Sequence, residues 1–240
     1  MSTPRFHCPI PLELGGVSVL PERTFHHAVR VRRMRVGEAL VLFAGDGREA
    51  RATLIGIRRD VADVRIESIE TVDRESALDV ALLQAISSGD RMDYTLQKAV
   101  ELGVRSVVPV MAERSQRVGD ARAEKRVDHW RDIAISACEQ SGRNTVPTVH
   151  RISTLDLALA SASGSGLLLS GNGLRRLRDI AQPTGPIVLL AGPEGGLTDD
   201  EERAATEAGY VAITLGPRIL RTETAAVAAL AAMQALWGDG

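Results

Sequence analysis

The pattern of apolar residues changes character between residues 70 and 78, and this change constrains the fold more than any other feature. Before it, apolar residues alternate with polar ones, as in Ala50–Ile57 and Val61–Ile69. Such alternation is typical of strands with one buried face. After it, Leu78–Ile86 is an almost unbroken apolar run, which is typical of a strand buried on both faces. The sequence therefore predicts two domains, residues 1–72 and 73–240.

The first domain is predicted to be a small β-barrel or curled sheet. Besides the alternating segments, Val17–Leu20 and Ala39–Phe43 are predicted strands. Gly45-Asp46-Gly47 follows as a hairpin-type turn, because glycine adopts the positive φ angles that such turns need. The polar segment Glu70–Ser76 is predicted to be a linker.

The second domain alternates buried strands with helices, which indicates an α/β fold with a mostly parallel sheet. Asp90 is predicted to cap a helix that ends at Gly103, because the apolar residues between them recur at helical spacing. A longer helix is predicted from about residue 121 to residue 141, and a final helix over Thr224–Trp237. The further predicted strands are Val104–Val110, Leu167–Leu169, Ile187–Ala191 and Val211–Leu215.

One predicted strand runs into a glycine-rich turn, residues 191–196 (Ala-Gly-Pro-Glu-Gly-Gly). In parallel α/β sheets, ligands bind at the carboxyl ends of strands. Thr198, with Glu201 three residues later, predicts a capped helix directly after the turn. Acids fill positions 199–202, where they would favour the helix dipole and repel a phosphate group. A ligand with a positive centre and an uncharged adenosine fits better, and S-adenosylmethionine has both features; a tight turn without a ligand is the alternative.

A second strand ends in Gly216-Pro217 and is followed closely by a helix, for which Thr222 or Thr224 is the predicted cap. Arg221 and Glu223 come just before that helix. Two neighbouring strand ends with Gly-Pro turns favour a shared pocket. Arg221 and Glu223 could instead form only an exposed ion pair of little energetic weight.

The basic residues are unevenly distributed, although the net charge of −2 argues against a general polyanion binder. Residues 23–35 contain five arginines and two histidines. Arginine makes forked contacts to phosphate and to base edges, so this segment favours such contacts. With only seven aromatic residues in the chain, a stacking platform for single strands is not expected.

The two cysteines, Cys8 and Cys138, match no metal or redox spacing. This favours a reduced, cytoplasmic setting, although a disulfide between them is left open. No apolar run is long enough to cross a bilayer, and Met1–Ile10 lacks the pattern of a signal peptide. Neither a membrane nor a metal site is predicted.

Several motifs follow one another along nearly the whole chain in an order that resembles one known family. They are His27–Met34, Arg74-Glu75-Ser76, Gln97–Gly103, Ala137–Asn144, Gly192–Gly196 and Leu215–Ala225. In this order they resemble the RsmE family of SPOUT methyltransferases. The segment Ser161–Arg178 matches that family least.

The resemblance implies a PUA-like β-barrel at the N-terminus, a C-terminal SPOUT domain with a trefoil knot, and a homodimer. The periodicity itself indicates no knot, and general topology rules disfavour one. The implied reaction is S-adenosylmethionine-dependent methylation of N3 of a uridine, uridine 1498 in the usual numbering, in the 16S ribosomal RNA of the small subunit.

The resemblance also implies a site. The cofactor would contact backbone groups of both turns and the loop after Leu169. Arg221 is predicted to meet the target uridine and to stabilise the negative charge that forms when N3 loses its proton. Glu194 and Glu223 are the nearest carboxylates, and neither is chosen as the general base. The predicted cofactor-binding residues are Leu169, Ser170, Leu190, Ala191, Gly192, Pro193, Glu194, Gly195, Gly196, Leu215, Gly216, Ile219, Leu220 and Thr224.

Basic residues of both domains are predicted to position the RNA, although each could equally be a solvated surface side chain. They are Arg5, Arg30, Arg32, Arg33, Arg91, Lys98, Arg114 and Arg143.

Three functions stay open: the uridine N3 methyltransferase, a related SPOUT enzyme that acts on transfer RNA at a ribose, and an RNA-binding or assembly factor without catalysis. The segment Gln97–Gly103 favours the first over the second. The glycine-rich turn at 192–196 and Arg221 argue against the third.

Overall fold

The computed structural model describes residues 3–173 and 175–240, with Asp120 described by its backbone alone. The chain divides into two compact units. The N-terminal unit comprises the residues up to Glu75 together with Cys138–Val146, and the C-terminal unit comprises Ser76–Ala137 and Pro147–Gly240. This division differs from the predicted domain boundary at residues 73–75 and 138–146. Met1 and Ser2 of the predicted first domain lie outside the described residues.

In its described part, the N-terminal unit contains one five-stranded sheet. Its strands are β1 (Arg5–His7), β2 (Val17–Val19), β3 (Ala39–Phe43), β4 (Arg48–Arg58) and β5 (Val61–Thr71). The strand order is β1-β3-β4-β5-β2, in which β1 is parallel to β3 and the other pairs are antiparallel. A short helix, α1 (Glu22–Phe25), continues into a π-helical turn, His26–Val31.

The side chains of this sheet follow the predicted alternation. Ala62, Val64 and Ile66 of β5 are buried in the core, whereas Arg65 and Glu67, which alternate with them, are exposed. Between β3 and β4, the glycines of the predicted hairpin turn, at positions 45 and 47, have φ angles of 94° and 88°. These left-handed angles confirm the predicted turn.

Residues 138–146 are bound to this sheet by side-chain hydrogen bonds. The Arg5 guanidinium donates to Glu49 Oε2 and to Asn144 Oδ1, each at 2.6 Å. Arg74 donates to the same Glu49 oxygen at 2.8 Å. Because this hydrogen bond fixes Arg74 to Glu49, the predicted linker at Glu70–Ser76 is not a free connection.

Among the described residues of the C-terminal unit, eight strands form one sheet in which every pairing is parallel. They are β6 (Val80–Ala85), β7 (Ser106–Met111), β8 (Thr148–Val149), β9 (Ser153–Thr154), β10 (Ser165–Leu169), β11 (Arg175–Arg176), β12 (Ile187–Ala191) and β13 (Val211–Thr214). The order is β11-β13-β10-β12-β6-β7-β8, with β9 also paired to β7. All five residues of β12 are buried, as expected of a central parallel strand. The predicted α/β fold with a mostly parallel sheet is confirmed.

The longer helices begin close to their predicted positions, but two predicted caps are wrong. The α-helices that follow β6 in the chain are α2 (Gly89–Glu101), α3 (Asp120–Ser141), α4 (Leu155–Ser161), α5 (Asp199–Glu207) and α6 (Thr222–Trp237). The extended residue before α2 is Ser88, so Asp90 lies inside the first turn, while Gly103 (φ 83°) ends the helix as predicted. Arg221 precedes α6, so the predicted caps Thr222 and Thr224 lie inside it. None of the helices in the described ranges is long and apolar enough to span a membrane.

Candidate active site

A pocket opens at the carboxyl ends of β10, β12 and β13, the edge at which parallel sheets bind ligands. Its walls are the loop after β10, the turns after β12 and β13, and the first turns of α5 and α6. The lining residues are Leu169, Ser170, Gly171, Ala191, Gly192, Pro193, Glu194, Gly196, Leu197, Glu202, Ile213, Thr214, Leu215, Arg218, Ile219, Leu220, Thr222 and Ala225.

Most of the predicted cofactor-binding residues line this pocket. They are Leu169, Ser170, Ala191, Gly192, Pro193, Glu194, Gly196, Leu215, Ile219 and Leu220. Four predicted residues do not line it. Leu190 is fully buried in the core behind the pocket, and Gly195 packs against the side chain of Arg114. Gly216 accepts a hydrogen bond from Thr214, and Thr224 is exposed in the first turn of α6.

Sequence reasoning missed eight lining residues: Gly171, Leu197, Glu202, Ile213, Thr214, Arg218, Thr222 and Ala225. Glu202 was assigned only to the helix dipole, yet its carboxylate accepts a hydrogen bond from Ser170 Oγ at 2.9 Å. Thr222 was assigned only to a cap. Ile213 and Thr214 could have been predicted from the sequence, because parallel sheets bind ligands at the carboxyl ends of strands. These two residues end β13 just as Ala191 ends β12.

The turn after β12 is shaped by its glycines. A Cβ on Gly192 would lie 3.1 Å from the backbone nitrogen of Leu197, so this position has little room for a side chain. Gly196 has a φ of 70°, and a Cβ there would meet no atom within 4 Å, so its face is open to a ligand. The turn leads into α5 through the predicted capping box, in which Thr198 N donates to Glu201 and Glu201 N donates to Thr198 Oγ1.

The Thr222 hydroxyl connects the second turn to the first. Its Oγ1 donates to the carbonyl oxygen of Gly192 at 2.6 Å and accepts from Gln84 Nε2 at 3.2 Å. Thr222 and Gln84 are both buried. The start of α6 is therefore fixed to the ends of β12 and β6, beneath the pocket.

Two carboxylates and one guanidinium meet beside the pocket. Arg91 of α2 lies 3.1 Å from an oxygen of Glu194 and 3.8 Å from an oxygen of Glu223. The same Glu194 oxygen accepts from the backbone N–H of Ser88 at 2.8 Å. Burial alone would raise the pKa of Glu194, but these hydrogen bonds outweigh it and hold the pKa below its ordinary value. Within this cluster two carboxylates share one guanidinium, and the resulting negative charge favours a cationic ligand group nearby.

Arg221 stands between two pocket-lining residues, Leu220 and Thr222, and its own side chain is exposed. Within the described ranges, its guanidinium has no ion-pair or hydrogen-bond partner. The alternative ion pair between Arg221 and Glu223 is not formed, because Glu223 faces Arg91 instead.

The predicted RNA-binding residues fall into two groups. Arg5 and Arg143 are held inside the N-terminal unit, Arg5 by Glu49 and Asn144 and Arg143 by Glu75 at 2.9 Å from its Nε. The others lie nearer to the solvent, and three of them belong to the C-terminal unit. Of these, Arg91 binds Glu194 and Glu223, Lys98 pairs with Glu101 at 2.8 Å, and Arg114 donates to the carbonyl oxygen of Gly195 at 2.9 Å.

The arginine segment of the N-terminal unit has a buried side and an exposed side. Phe25, Ala28 and Met34 are buried in the core of the unit. Arg32 and Arg33 are exposed, and Arg33 has the unusual φ angle of 56° for a residue with a side chain. Arg30 is also exposed, lies over the Phe25 ring and donates to the carbonyl oxygen of Arg59. The buried side thus fixes a row of arginines at the surface.

Both parts of the chain match known families. Residues 74–234 match the RNA methyltransferase domain, and residues 20–67 match the RNA methyltransferase PUA domain. A ribosomal RNA small subunit methyltransferase E from Mycobacterium bovis is 34% identical over 232 residues, which cover 93% of this chain and 88% of that protein. The chain belongs to the ribosomal RNA small subunit methyltransferase E family. The resemblance to this family that the motifs indicated is confirmed.

Solved structures related to this family have the same fold. The crystal structure of a ribosomal RNA small subunit methyltransferase E from Neisseria gonorrhoeae, bound to S-adenosyl methionine, is 48% identical with a TM-score of 0.93 and covers 99% of both chains. A protein from Legionella pneumophila, described as a methyltransferase and solved with the bound cofactor SAM, is 38% identical with a TM-score of 0.97 over 100% of both chains. The predicted PUA-like domain and the parallel α/β methyltransferase domain are confirmed. The trefoil knot stays a prediction.

Proposed function

We propose that this member of the methyltransferase E family transfers a methyl group from S-adenosylmethionine to N3 of a uridine in the 16S ribosomal RNA of the small subunit. The observation that carries the proposal is the pocket formed by two Gly-Pro turns, which follow β12 and β13, the strands on either side of β10. We propose in addition that the target is uridine 1498, that the protein forms a homodimer and that it acts in the cytoplasm.

The pocket has the chemistry that S-adenosylmethionine needs. Backbone groups of the turns after β12 and β13 would hold the adenine between apolar side chains, with Leu215 and Leu220 as walls. Glu194 and Glu202 line the pocket and would supply negative charge to a ligand that carries sulfonium and ammonium groups. When bound, the cofactor supplies an electrophilic methyl group. The acids at 199–202 would repel the phosphates of a nucleotide cofactor.

The chemical difficulty of the reaction is the proton on N3. A free uridine has a pKa on the order of 9, so its ionisation near neutral pH costs roughly 3 kcal/mol. Arg221 would offset much of that cost; in support, its guanidinium is unpartnered in the described structure and its chain neighbours Leu220 and Thr222 line the pocket. A guanidinium beside O2 or O4 would stabilise the negative charge of the deprotonated base.

The RNA would be positioned mainly by the exposed arginines of the N-terminal unit, Arg30, Arg32 and Arg33, with Lys98 and Arg114 in the C-terminal unit. Arg5 and Arg143 leave this proposed set, because their guanidinium groups are already bound inside the N-terminal unit. Arg91 is likewise bound to two carboxylates, and we assign it to the active site rather than to the RNA.

Cofactor binding is tested by thermal unfolding. S-adenosylmethionine and S-adenosylhomocysteine should each raise the melting temperature, and a hundredfold excess over Kd corresponds to about 2.7 kcal/mol of added stability. NADH and ATP serve as controls. A shift with NADH or ATP and none with either adenosyl compound would contradict the cofactor assignment.

The substrate is tested by methyl transfer to small ribosomal subunits and to free 16S RNA, followed by nucleoside mapping. We expect N3-methyluridine at one position. Methylation of transfer RNA at a ribose would replace the proposal by the related SPOUT activity. Cofactor binding without any transfer would favour a non-catalytic assembly factor.

A further inference from the structure

The carboxylate of Glu223 has one oxygen atom without a partner. This atom, Oε2, is buried and has no hydrogen-bond partner in the described structure. The other oxygen faces Arg91 at 3.8 Å, and the side chain as a whole is 16% exposed. Leaving a buried carboxylate oxygen unpaired is costly, which points to a hydrogen-bond donor that arrives with a ligand.

Glu223 lies between two residues of the pocket wall, although its own side chain is not part of the lining. Its neighbour Thr222 lines the pocket, and Ala225 lines it from the same turn of α6. Arg91 connects Glu223 to Glu194, which also lines the pocket. Arg91 is the ion-pair partner of Glu223 within the described ranges, and Glu194 is the next charged group beyond it.

The other carboxylates at the pocket are already engaged. Glu194 accepts from Ser88 and Arg91 with one oxygen, and its pKa is held low, which makes it a weaker base. Glu202 accepts from Ser170. Glu223 is thus the carboxylate beside this pocket with an oxygen that is both buried and unpaired.

We infer that Glu223 is the general base that removes the N3 proton of the target uridine, with Arg91 as the residue that positions its carboxylate. This inference rests on the proposed function. In the step, the N3–H bond breaks and its proton passes to Glu223 Oε2. The electron pair of N3 forms the bond to the methyl carbon, and the carbon–sulfur bond of the sulfonium donor breaks with its pair going to sulfur. The proton then leaves Glu223 for solvent.

The test is Glu223→Gln, which keeps the size of the side chain and removes its basicity. At saturating cofactor and RNA near neutral pH, methyl transfer should fall on the order of a hundredfold or more. The rate of the variant should then rise about tenfold for each pH unit towards the pKa of uridine, about 9, because the base ionises without help there. The wild-type rate should rise much less over this range.

A second substrate sharpens the test. RNA with 5-fluorouridine at the target position has a more acidic N3, so it should restore much of the activity of Glu223→Gln near neutral pH. The melting temperature and the S-adenosylmethionine affinity from calorimetry should match those of the wild type. Glu207→Gln, at the exposed end of α5, is the matched control and should leave every readout unchanged. If Glu223→Gln fails to fold, Glu223→Ala with added formate replaces it, and formate should restore transfer.

Two results would overturn the inference. One is a Glu223→Gln rate within about threefold of wild type, since a loss that small is well below a tenfold effect. The other is a large loss that neither higher pH nor 5-fluorouridine repairs, which would leave Glu223 as a structural partner of Arg91. If the proposed function itself is wrong, the result differs from both of these, because the wild-type protein would then not methylate the uridine.

Discussion

Arg221 and Glu223 are two residues apart at the start of α6, yet their surroundings differ. The Arg221 side chain is exposed, and the structure describes no polar partner for it, whereas the Glu223 carboxylate is largely buried beside Arg91. An exposed cation can adjust to an incoming base, while a buried carboxylate keeps its position. This difference suits Arg221 to stabilise charge on the uridine and Glu223 to accept its proton.

The role of Arg221 is tested by Arg221→Ala. If it stabilises the uridine anion, turnover at saturating cofactor and RNA should fall roughly a hundredfold to a thousandfold. Because the side chain is exposed and has no polar partner among the described residues, the free energy of unfolding should change by no more than about 0.5 kcal/mol. Cofactor affinity should also change little, since the turns supply most of the pocket.

Two further variants complete this test. Arg131→Ala removes an exposed arginine from α3 and should leave turnover unchanged. Arg221→Lys should recover only part of the activity, because an ammonium cannot reproduce the planar fork of a guanidinium. An Arg221→Ala protein that stays folded, binds RNA and turns over within about threefold of wild type would remove Arg221 from the mechanism.

At the scale of elements, the first turn of α6 is the piece that organises the pocket. It carries Thr222, whose hydroxyl is bonded to the turn after β12 and to Gln84 of β6. Three segments far apart in sequence are therefore fixed by one buried hydroxyl. Removing it would leave the Gly192 carbonyl oxygen and the buried amide of Gln84 with one partner fewer.

Thr222→Val keeps the shape of the side chain and removes only the hydroxyl. We expect the free energy of unfolding to fall by about 1–3 kcal/mol, the cost of leaving buried polar groups unpaired. S-adenosylmethionine should also bind more weakly, because the two turns would no longer be joined. Urea unfolding and calorimetry measure the two effects. The matched control is Thr224→Val in the same turn, where the side chain is exposed. Its free energy of unfolding should change by about 0.5 kcal/mol at most. Equal effects of the two variants would contradict the role of the Thr222 hydroxyl in joining the two turns.

Elements and turns could be predicted from the sequence where the pattern is local. The bounds of β3 and β12 match their apolar runs, and the capping box before α5 follows from two residues three positions apart. Partners distant in the chain could not be predicted in this way. The local pattern predicts Thr222 as a cap, yet the residue lies inside α6 and its hydroxyl donates to Gly192, a contact that nothing local indicates. Ser170 and Glu202 meet for the same reason, since only the fold brings them together.

Charged residues were the hardest to assign from the sequence. Arg5 occupies a short strand among polar and apolar residues, much as a surface arginine would. Its burial depends on Glu49 and on Asn144, which is 139 positions further along the chain. A forked guanidinium looks the same in sequence whether it binds a phosphate or a carboxylate, and only the position of its partner decides between them.

At the scale of the whole molecule, this buried ion network makes stability depend on pH. Glu49 is 12% exposed and accepts hydrogen bonds from Arg5, Arg74 and Asn144. Burial alone would raise its pKa, but these three donors outweigh it and lower the pKa of Glu49 from 4.5 to about 2. The carboxylate is therefore stabilised in the folded protein relative to the unfolded chain.

The sign of the effect follows from that lowered pKa. Above about pH 4.5 the Glu49 carboxylate is charged in both states, and its contribution to stability is fully present. As the pH falls towards about 2, the unfolded chain takes up the proton first, so the contribution is lost. A difference of this size corresponds to about 3 kcal/mol near neutral pH. Glu49→Gln should therefore lower the free energy of unfolding by an amount of that order near neutral pH, and the gap to wild type should shrink steadily on acidification.

Urea unfolding of both proteins at a series of pH values between about 7 and about 3 measures this gap directly. Glu13→Gln is the control, because Glu13 is exposed and its removal should leave the stability curve of the wild type in place. Other acids of the chain titrate equally in wild type and variant, so the difference between the two isolates Glu49. A gap that stays constant with pH would mean that Glu49→Gln acts through packing rather than through charge. A gap that widens on acidification would contradict the lowered pKa itself.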